Sequence, residues 1–390
     1  MKRSRFARRG ALNRDAEQIA RLATGLAASA SRVEDAYWES RLDSAVDKLL
    51  RTGNEDTLNL ALDHLFGANG RAYDALADLI ESRAEGGVLG TGGNEFDVAM
   101  FAAPLLAWSR FIIPSGPLPA GTLAAARTQL QAHVLAAGTK LALADFLYSP
   151  DQLPRGFVET YRLANQLAKA AADNKDARID PRQLPETTRF ISDTRYLIGA
   201  VVAPRGQALF RWQEEDASRE QAATQWSAQG GSSLQPLFTG CALEPLLPDV
   251  YHAACRNADQ GLRTYSLRAA AAFLQTVLNV KPQSLRAVVA PFHEERLEEY
   301  RIGFTLADSS EVVHGVVWPL LGAEDESTDC VGQIEAVLED VGVGNVVVLD
   351  QRFPVEFCDD CGMPMYPTPE GETSHAELPE DLPQAPAHLH

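Results

Sequence analysis

An α+β chain, helical in front and strand-rich behind, is what the sequence predicts, on three observations. Up to about Asn174 the apolar residues recur at helical spacing. Beyond Arg189 the apolar runs turn β-branched and are parted by turn residues, as in Tyr196-Leu-Ile-Gly-Ala-Val-Val202. Near its end the chain carries Cys358-Asp-Asp-Cys361-Gly-Met-Pro, two thiols on one tight turn. At 390 residues it is too long for one ordinary core, and 45% hydrophobic against 23% charged residues is the composition of a chain that folds.

The expected order is a basic flexible arm, 1–14, a helical domain, 15–174, and a linker, 175–189. A first α/β copy with a helical insert, 190–280, and a second copy, 281–357, follow. A metal-type knuckle, 358–371, and a disordered acidic and proline-bearing tail, 372–390, complete it. The arm holds Lys2, Arg3, Arg5, Arg8, Arg9 and Arg14, with no apolar stretch behind it, so it does not read as a secretory signal.

In the helical part, Ser31-Arg-Val-Glu34 reads as a capping box and Gly53 as a helix stop. A second helix runs through Leu58, Leu62 and Leu65, and a third through Tyr73, Leu76 and Ile80. Five glycines between Gly86 and Gly93 break the pattern. Further helices are expected from Phe96, over 124–147 and over 156–173. Pro181 and Pro185 mark the linker.

The rear half is expected to repeat a β-β-α-β unit. Strands at 196–202 and 208–212, a helix through Ala222 and Trp226, and a strand at 234–238 make the first copy. Strands at 300–306 and 312–318, a helix through Ile334 and Leu338, and a strand at 346–349 make the second. Both copies open alike, Tyr196-x-Ile-Gly199 and Tyr300-x-Ile-Gly303. A helical insert, 247–280, and an extra strand, 285–289, join them.

The bulk numbers exclude several classes. The net charge of −18, from 53 acidic and 35 basic side chains, repels phosphate backbones, so nucleic acid is not an expected partner except through residues 2–14. The apolar stretch Val98 to Ile113 is cut by Pro104 and Arg110, and no membrane span is expected. Five cysteines, an odd number, fit a reducing cytoplasm with free or metal-bound thiols.

Cys358 and Cys361 carry the sharpest chemistry. Thiolates two residues apart can bind one ion together, and a following glycine suits the positive φ that lets backbone N–H groups turn toward sulfur. Cys-x-x-Cys-Gly-x-Pro resembles one knuckle of a zinc ribbon or rubredoxin-like site, so zinc is the expected ion. A second knuckle is missing. His375, Cys241 and Cys330 are the remaining ligand candidates, and two chains sharing one zinc would also complete four. A metal-free turn and a redox pair are the rival readings, although Pro364 and Pro367 argue against the helix a thioredoxin motif opens. Elsewhere, the Gly87 to Gly93 loop lacks a Walker lysine, His252 and Cys255 share a helical spacing, and His293-Glu-Glu295 reads as a solvated loop.

Six stretches together resemble a known family: Arg21-Leu-Ala-Thr-Gly-Leu26, Glu34-Asp-Ala-Tyr-Trp-Glu39, Ala61-Leu-Asp-His-Leu65, Ala72-Tyr-Asp-Ala-Leu-Ala-Asp78, Tyr148-Ser-Pro-Asp-Gln-Leu-Pro154 and the Cys358 turn. The family is domain-of-unknown-function family 2863, of uncharacterised proteobacterial proteins. The resemblance spans nearly the whole chain, implies a bacterial cytoplasmic setting and carries no catalytic residue with it. The functional expectation is a non-catalytic interaction or regulatory protein, binding another protein or itself as a homodimer. A metal-dependent enzyme using Glu356, Asp359 or Asp360 is the first alternative, and an RNA- or ribosome-associated factor using the arm is the second.

Overall fold

The computed structural model describes residues 12–91 and 93–379. Most of the basic arm, and the tail beyond Pro379 with His388 and His390, lie outside the described residues. The front is a bundle of four helices, α1 (Arg14–Ala27), α2 (Arg32–Thr52), α3 (Glu55–Phe66) and α4 (Gly70–Glu85). Asn13, Ser31, Asn54 and Asn69 each accept a backbone N–H of the first turn, so all four helices begin on a side-chain cap. The capping box of α2 is half realised: Ser31 caps Glu34 N–H, while the Glu34 carboxylate reaches the N–H of Ala30 instead. Gly53, at φ 74°, ends α2 as expected. Ile19, Leu42, Val46, Leu62, Leu76 and Ile80 fill the core between the helices.

The helical part is shorter than the sequence suggests. It stops at Glu85, and the glycine-rich stretch is an edge strand, β1 (Gly86–Thr91), that turns back into β2 (Asn94–Trp108). Then come β3 (Gly116–Pro117), α5 (Ala120–His133), β4 (Lys140–Tyr148), α6 (Phe157–Ala172) and β5 (Ser192–Pro204). The helix expected from Phe96 is therefore a strand, and the one expected over 124–147 is helix only as far as His133 and strand from Lys140. The cause is burial on both faces: Met100 and Ala102 face one layer, Phe101, Ala103 and Leu105 the other. Such a strand has no alternation to betray it, and a continuous apolar run looks the same as a buried helix.

The first sheet has the order β1-β2-β5-β4-β3, and β2 pairs β5 in antiparallel register from Phe96↔Pro204 to Trp108↔Ser192. β4 and β5 therefore pair directly across the expected linker, which is itself strapped to β4 through Ala177 N–H to Leu143 O and Asp145 N–H to Ala177 O. Two further short strands, β6 (Ala242–Pro245) and β7 (Asp249–Val250), lie on the free edge of β2, reached through α7 (Arg219–Gln225) and α8 (Gly231–Leu234).

Of the expected first copy, only the opening strand and the helix form. Phe210 makes a lone bridge to Leu135 before a 3-10 turn, and 235–237 is another 3-10 turn. The apolar side chains there meet the core without a strand: Phe210 and Trp212 stack face to face with centroids 4.6 Å apart. Residues 190–280 thus do not build a β-β-α-β unit, and the duplication fails on that half.

The second half does build one. α9 (Tyr251–Val277) leads into β8 (Leu285–His293), β9 (Leu297–Leu306), β10 (His314–Pro319), α10 (Cys330–Asp340) and β11 (Asn345–Val348), with β12 (Phe353–Pro354) also on β8. The order is β10-β9-β8-β11, antiparallel except for β11 beside β8. α9 ties the two halves together. Tyr251, Ala254 and Ala258 pack on the first sheet, and Leu267, Ala271 and Leu274 on the second. Among the described residues no helix is long and apolar enough to cross a membrane.

Two contacts fix the bundle. Glu55 at the start of α3 accepts the N–H groups of Phe157 and Val158, both at 3.1 Å, and so caps α6 from another helix. A side chain at Gly156 would occupy the space of that carboxylate. Between α4 and α9, Glu85 accepts the N–H of His252 at 2.7 Å. Burial raises Glu85 from 4.5 to about 7 and lowers His252 from 6.5 to about 4. Glu85 therefore contributes stability that is complete below its unfolded value and is lost as pH rises through about 7; His252 contributes above its unfolded value and loses it as pH falls through about 4. Glu85→Gln keeps the acceptor and removes the charge. Thermal melts should show it stabilising the protein by on the order of 2 kcal/mol more at pH 8 than at pH 5; equal effects at both values would refute the assignment.

Candidate metal centre

The site begins with the alternation of β9. Tyr300, Ile302 and Phe304 point into the core beneath α9 and α10, which leaves Arg301 and Gly303 on the opposite face. Arg301 is fully buried there. Its guanidinium pairs with Glu299 at 2.8 Å and lies 4.4 Å from the centroid of Phe292. It also donates to the carbonyls of Glu356 (2.6 Å) and Met365 (2.8 Å). Those two carbonyls stand at either end of the cysteine turn, so one buried cation holds both of its feet.

A bare spot on the sheet seats the segment that follows. Gly303 and Gly315 are register partners on β9 and β10. A β-carbon at Gly303 would run into the carbonyl of Pro367, and one at Gly315 into the ring of Tyr366. Tyr366 and Pro367 form β13 (Tyr366–Pro367), which pairs antiparallel with β14 (Thr373–Ser374). The expected disordered tail is thus ordered at least to Pro379. Glu377 N–H donates to Val312 O at 2.9 Å, and Leu378 packs on the second core. The reason is tertiary: the polar segment closes a ladder and covers an apolar face.

The turn itself is tight. Cys358 N–H donates to Met363 O, Gly362 N–H donates to Cys358 O, and Gly362 adopts φ 71°, as the spacing predicts. The backbone N–H groups of Cys361 and then Asp360 hold the Cys358 thiol below the ordinary thiol value, with Cys361's own side chain adding to this. β14 delivers His375 to the same place, its Nε2 3.2 Å from Cys361 Sγ. The three ligand atoms of Cys358, Cys361 and His375 lie within 4.8 Å of one another. On the far side of the ring, His375 Nδ1 stands 3.1 Å from Glu377 Oε1. A proton on Nδ1 shared with that carboxylate leaves the Nε2 lone pair directed at the sulfurs. Phe357 and Met363, 54% and 43% exposed, border the turn.

The other candidates do not assemble. Cys330 is buried at the head of α10, and the Cys241 thiol faces the carbonyl of Ile112; neither belongs to the group of three. Cys255 sits beneath Tyr251, and burial pushes its thiol to about 12. His293 faces Glu326 at 3.5 Å at the end of β8, while Glu294 and Glu295 occupy the hairpin turn and are exposed. Asp359 and Asp360 are exposed and outside the group. Arg301, the glycine pair and Glu377 escaped the sequence reading. Only Gly303 left a trace there, as part of the Tyr-x-Ile-Gly recurrence.

A family profile described as "Protein of unknown function (DUF2863)" matches residues 4–389. No curated protein and no solved structure matches the chain.

Proposed function

The chain belongs to that family, DUF2863, and from this premise we propose that Cys358, Cys361 and His375 bind one zinc ion in a non-catalytic protein of the cytoplasm that works by interaction or regulation. The observation that carries the reading is the meeting of two sulfurs and one imidazole nitrogen, brought from separate segments to within 4.8 Å. Thiolate and imidazole donors on a tetrahedral scale suit zinc. Glu377 behind His375 supplies the carboxylate partner that a metal-bound imidazole commonly has. The role that follows is mechanical. An ion there fastens β14 to the cysteine turn, and Arg301 and the glycine pair hold that turn on the second sheet. The exposed Phe357 and Met363 beside it give a partner protein, or a second copy, an apolar place to bind. Free cysteines throughout support a reducing compartment.

Protein purified without chelator is expected to hold one zinc per chain by elemental analysis, and Cys361→Ser or His375→Ala to hold none. Glu377→Gln should retain the ion with affinity lowered about 10–100-fold in a competition titration. Metal-free wild-type protein that takes up no added zinc would end the proposal. Three protein donors also leave one tetrahedral position over, which favours the metal-dependent enzyme as a second reading. X-ray absorption at the zinc edge separates the two: a bound water supports the enzyme, a fourth sulfur or nitrogen the structural role.

A further inference from the structure

We propose that Cys358 and Cys361 are also an oxidation site, at which a hydroperoxide converts the pair to a disulfide and expels the metal. This rests on the zinc reading above and adds its regulation. Geometry singles out this pair among the five thiols. Cys361 is exposed and Cys358 half-buried; Cys330 and the Cys255 sulfur are shielded by the fold, and Cys241, half-buried like Cys358, faces the carbonyl of Ile112 and lies outside the group of three. The two sulfurs already stand within 4.8 Å on one turn, and a disulfide needs about 2.05 Å. Closing that gap asks the two thiols to turn toward each other within a turn whose two ends, Glu356 and Met365, Arg301 holds in place.

The chemistry balances in two steps. The Cys361 thiolate attacks one peroxide oxygen; an S–O bond forms, the O–O bond breaks, and hydroxide or alkoxide leaves. The Cys358 thiolate then attacks the Cys361 sulfur; the S–S bond forms, the S–O bond breaks, and hydroxide leaves. The two sulfurs lose two electrons, the peroxide gains them, and solvent protons convert the leaving oxyanions to water or alcohol. The ion has then lost both anionic donors and keeps only His375, and one imidazole does not retain zinc at low free concentration. β14 is left on its remaining ties, the ladder to β13, Glu377 N–H to Val312 O and the Thr368–Glu372 turn.

The test uses the full-length holoprotein. Zinc is first counted by elemental analysis. Hydrogen peroxide is then added from one to five equivalents, while a chromophoric chelator reports released zinc and peptide mapping by mass spectrometry locates disulfides. One zinc released per Cys358–Cys361 disulfide, with recovery after dithiothreitol and added zinc, is the expected result. Zinc that stays bound while peroxide is consumed at Cys241, or Cys361 carried to sulfinic acid with no disulfide, overturns the proposal alone. No zinc before peroxide is added overturns the metal reading as well, so the two failures are told apart at the first measurement.

Discussion

Arg301→Met is expected to cost about 3–5 kcal/mol of stability, the range for removing one partner of a buried ion pair. Methionine fills the slot between Phe292 and Phe357 without replacing any donor. Glu299, mostly buried, is then left without its cation, and the carbonyls of Glu356 and Met365 lose their common donor. The loss should appear as a lower urea midpoint at unchanged slope, together with weaker zinc retention, since the turn has lost its footing. The double variant Glu299→Gln with Arg301→Met should recover part of the loss by removing the stranded charge. A change below about 1 kcal/mol in the single variant would show that the guanidinium is better solvated than its surroundings indicate.

Gly303→Ala is expected to destabilise by about 2–3 kcal/mol, the upper part of the range for overpacking. The added methyl meets a backbone carbonyl, that of Pro367, and no rotamer change can move it aside. Gly315→Ala meets the Tyr366 ring instead, which can tilt, so its cost should be smaller. Gly87→Ala, with open space around its α-carbon, serves as the comparison and should fall within about 0.5 kcal/mol. Thermal melts of the three variants rank them. An equal ranking of Gly303 and Gly87 would mean that β13 does not rest on the sheet as described.

Three of the four front helices were legible from their apolar spacing, and one of them from local punctuation, Ser31 at its start and Gly53 at its end. The caps Asn13, Asn54 and Asn69, and α1 as a helix of its own, emerged only with the structure. β2 and β4 were not legible, because burial on both faces erases the period that separates strand from helix. The thiol pair was legible from spacing, and His375 followed as the histidine nearest in sequence. Arg301 and Glu377 were not, since each acts only through residues that the fold brings to it. The Tyr-x-Ile-Gly recurrence has a packing origin. Gly199 admits the Phe101 ring and the Ala142 carbonyl, as Gly303 admits that of Pro367. Two central strands met the same demand for a bare spot, and a repeated unit is not required to explain the likeness.

α9 carries a consequence for how the molecule comes apart. Its 27 residues span about 40 Å, with one end inside the first core and the other inside the second. A helix shared in this way cannot melt at one end and leave the other core intact, because each core would lose a wall. The two sheets should therefore give a single calorimetric transition despite their separate topologies, and a cut anywhere within 251–277 should yield two fragments that fold only when mixed.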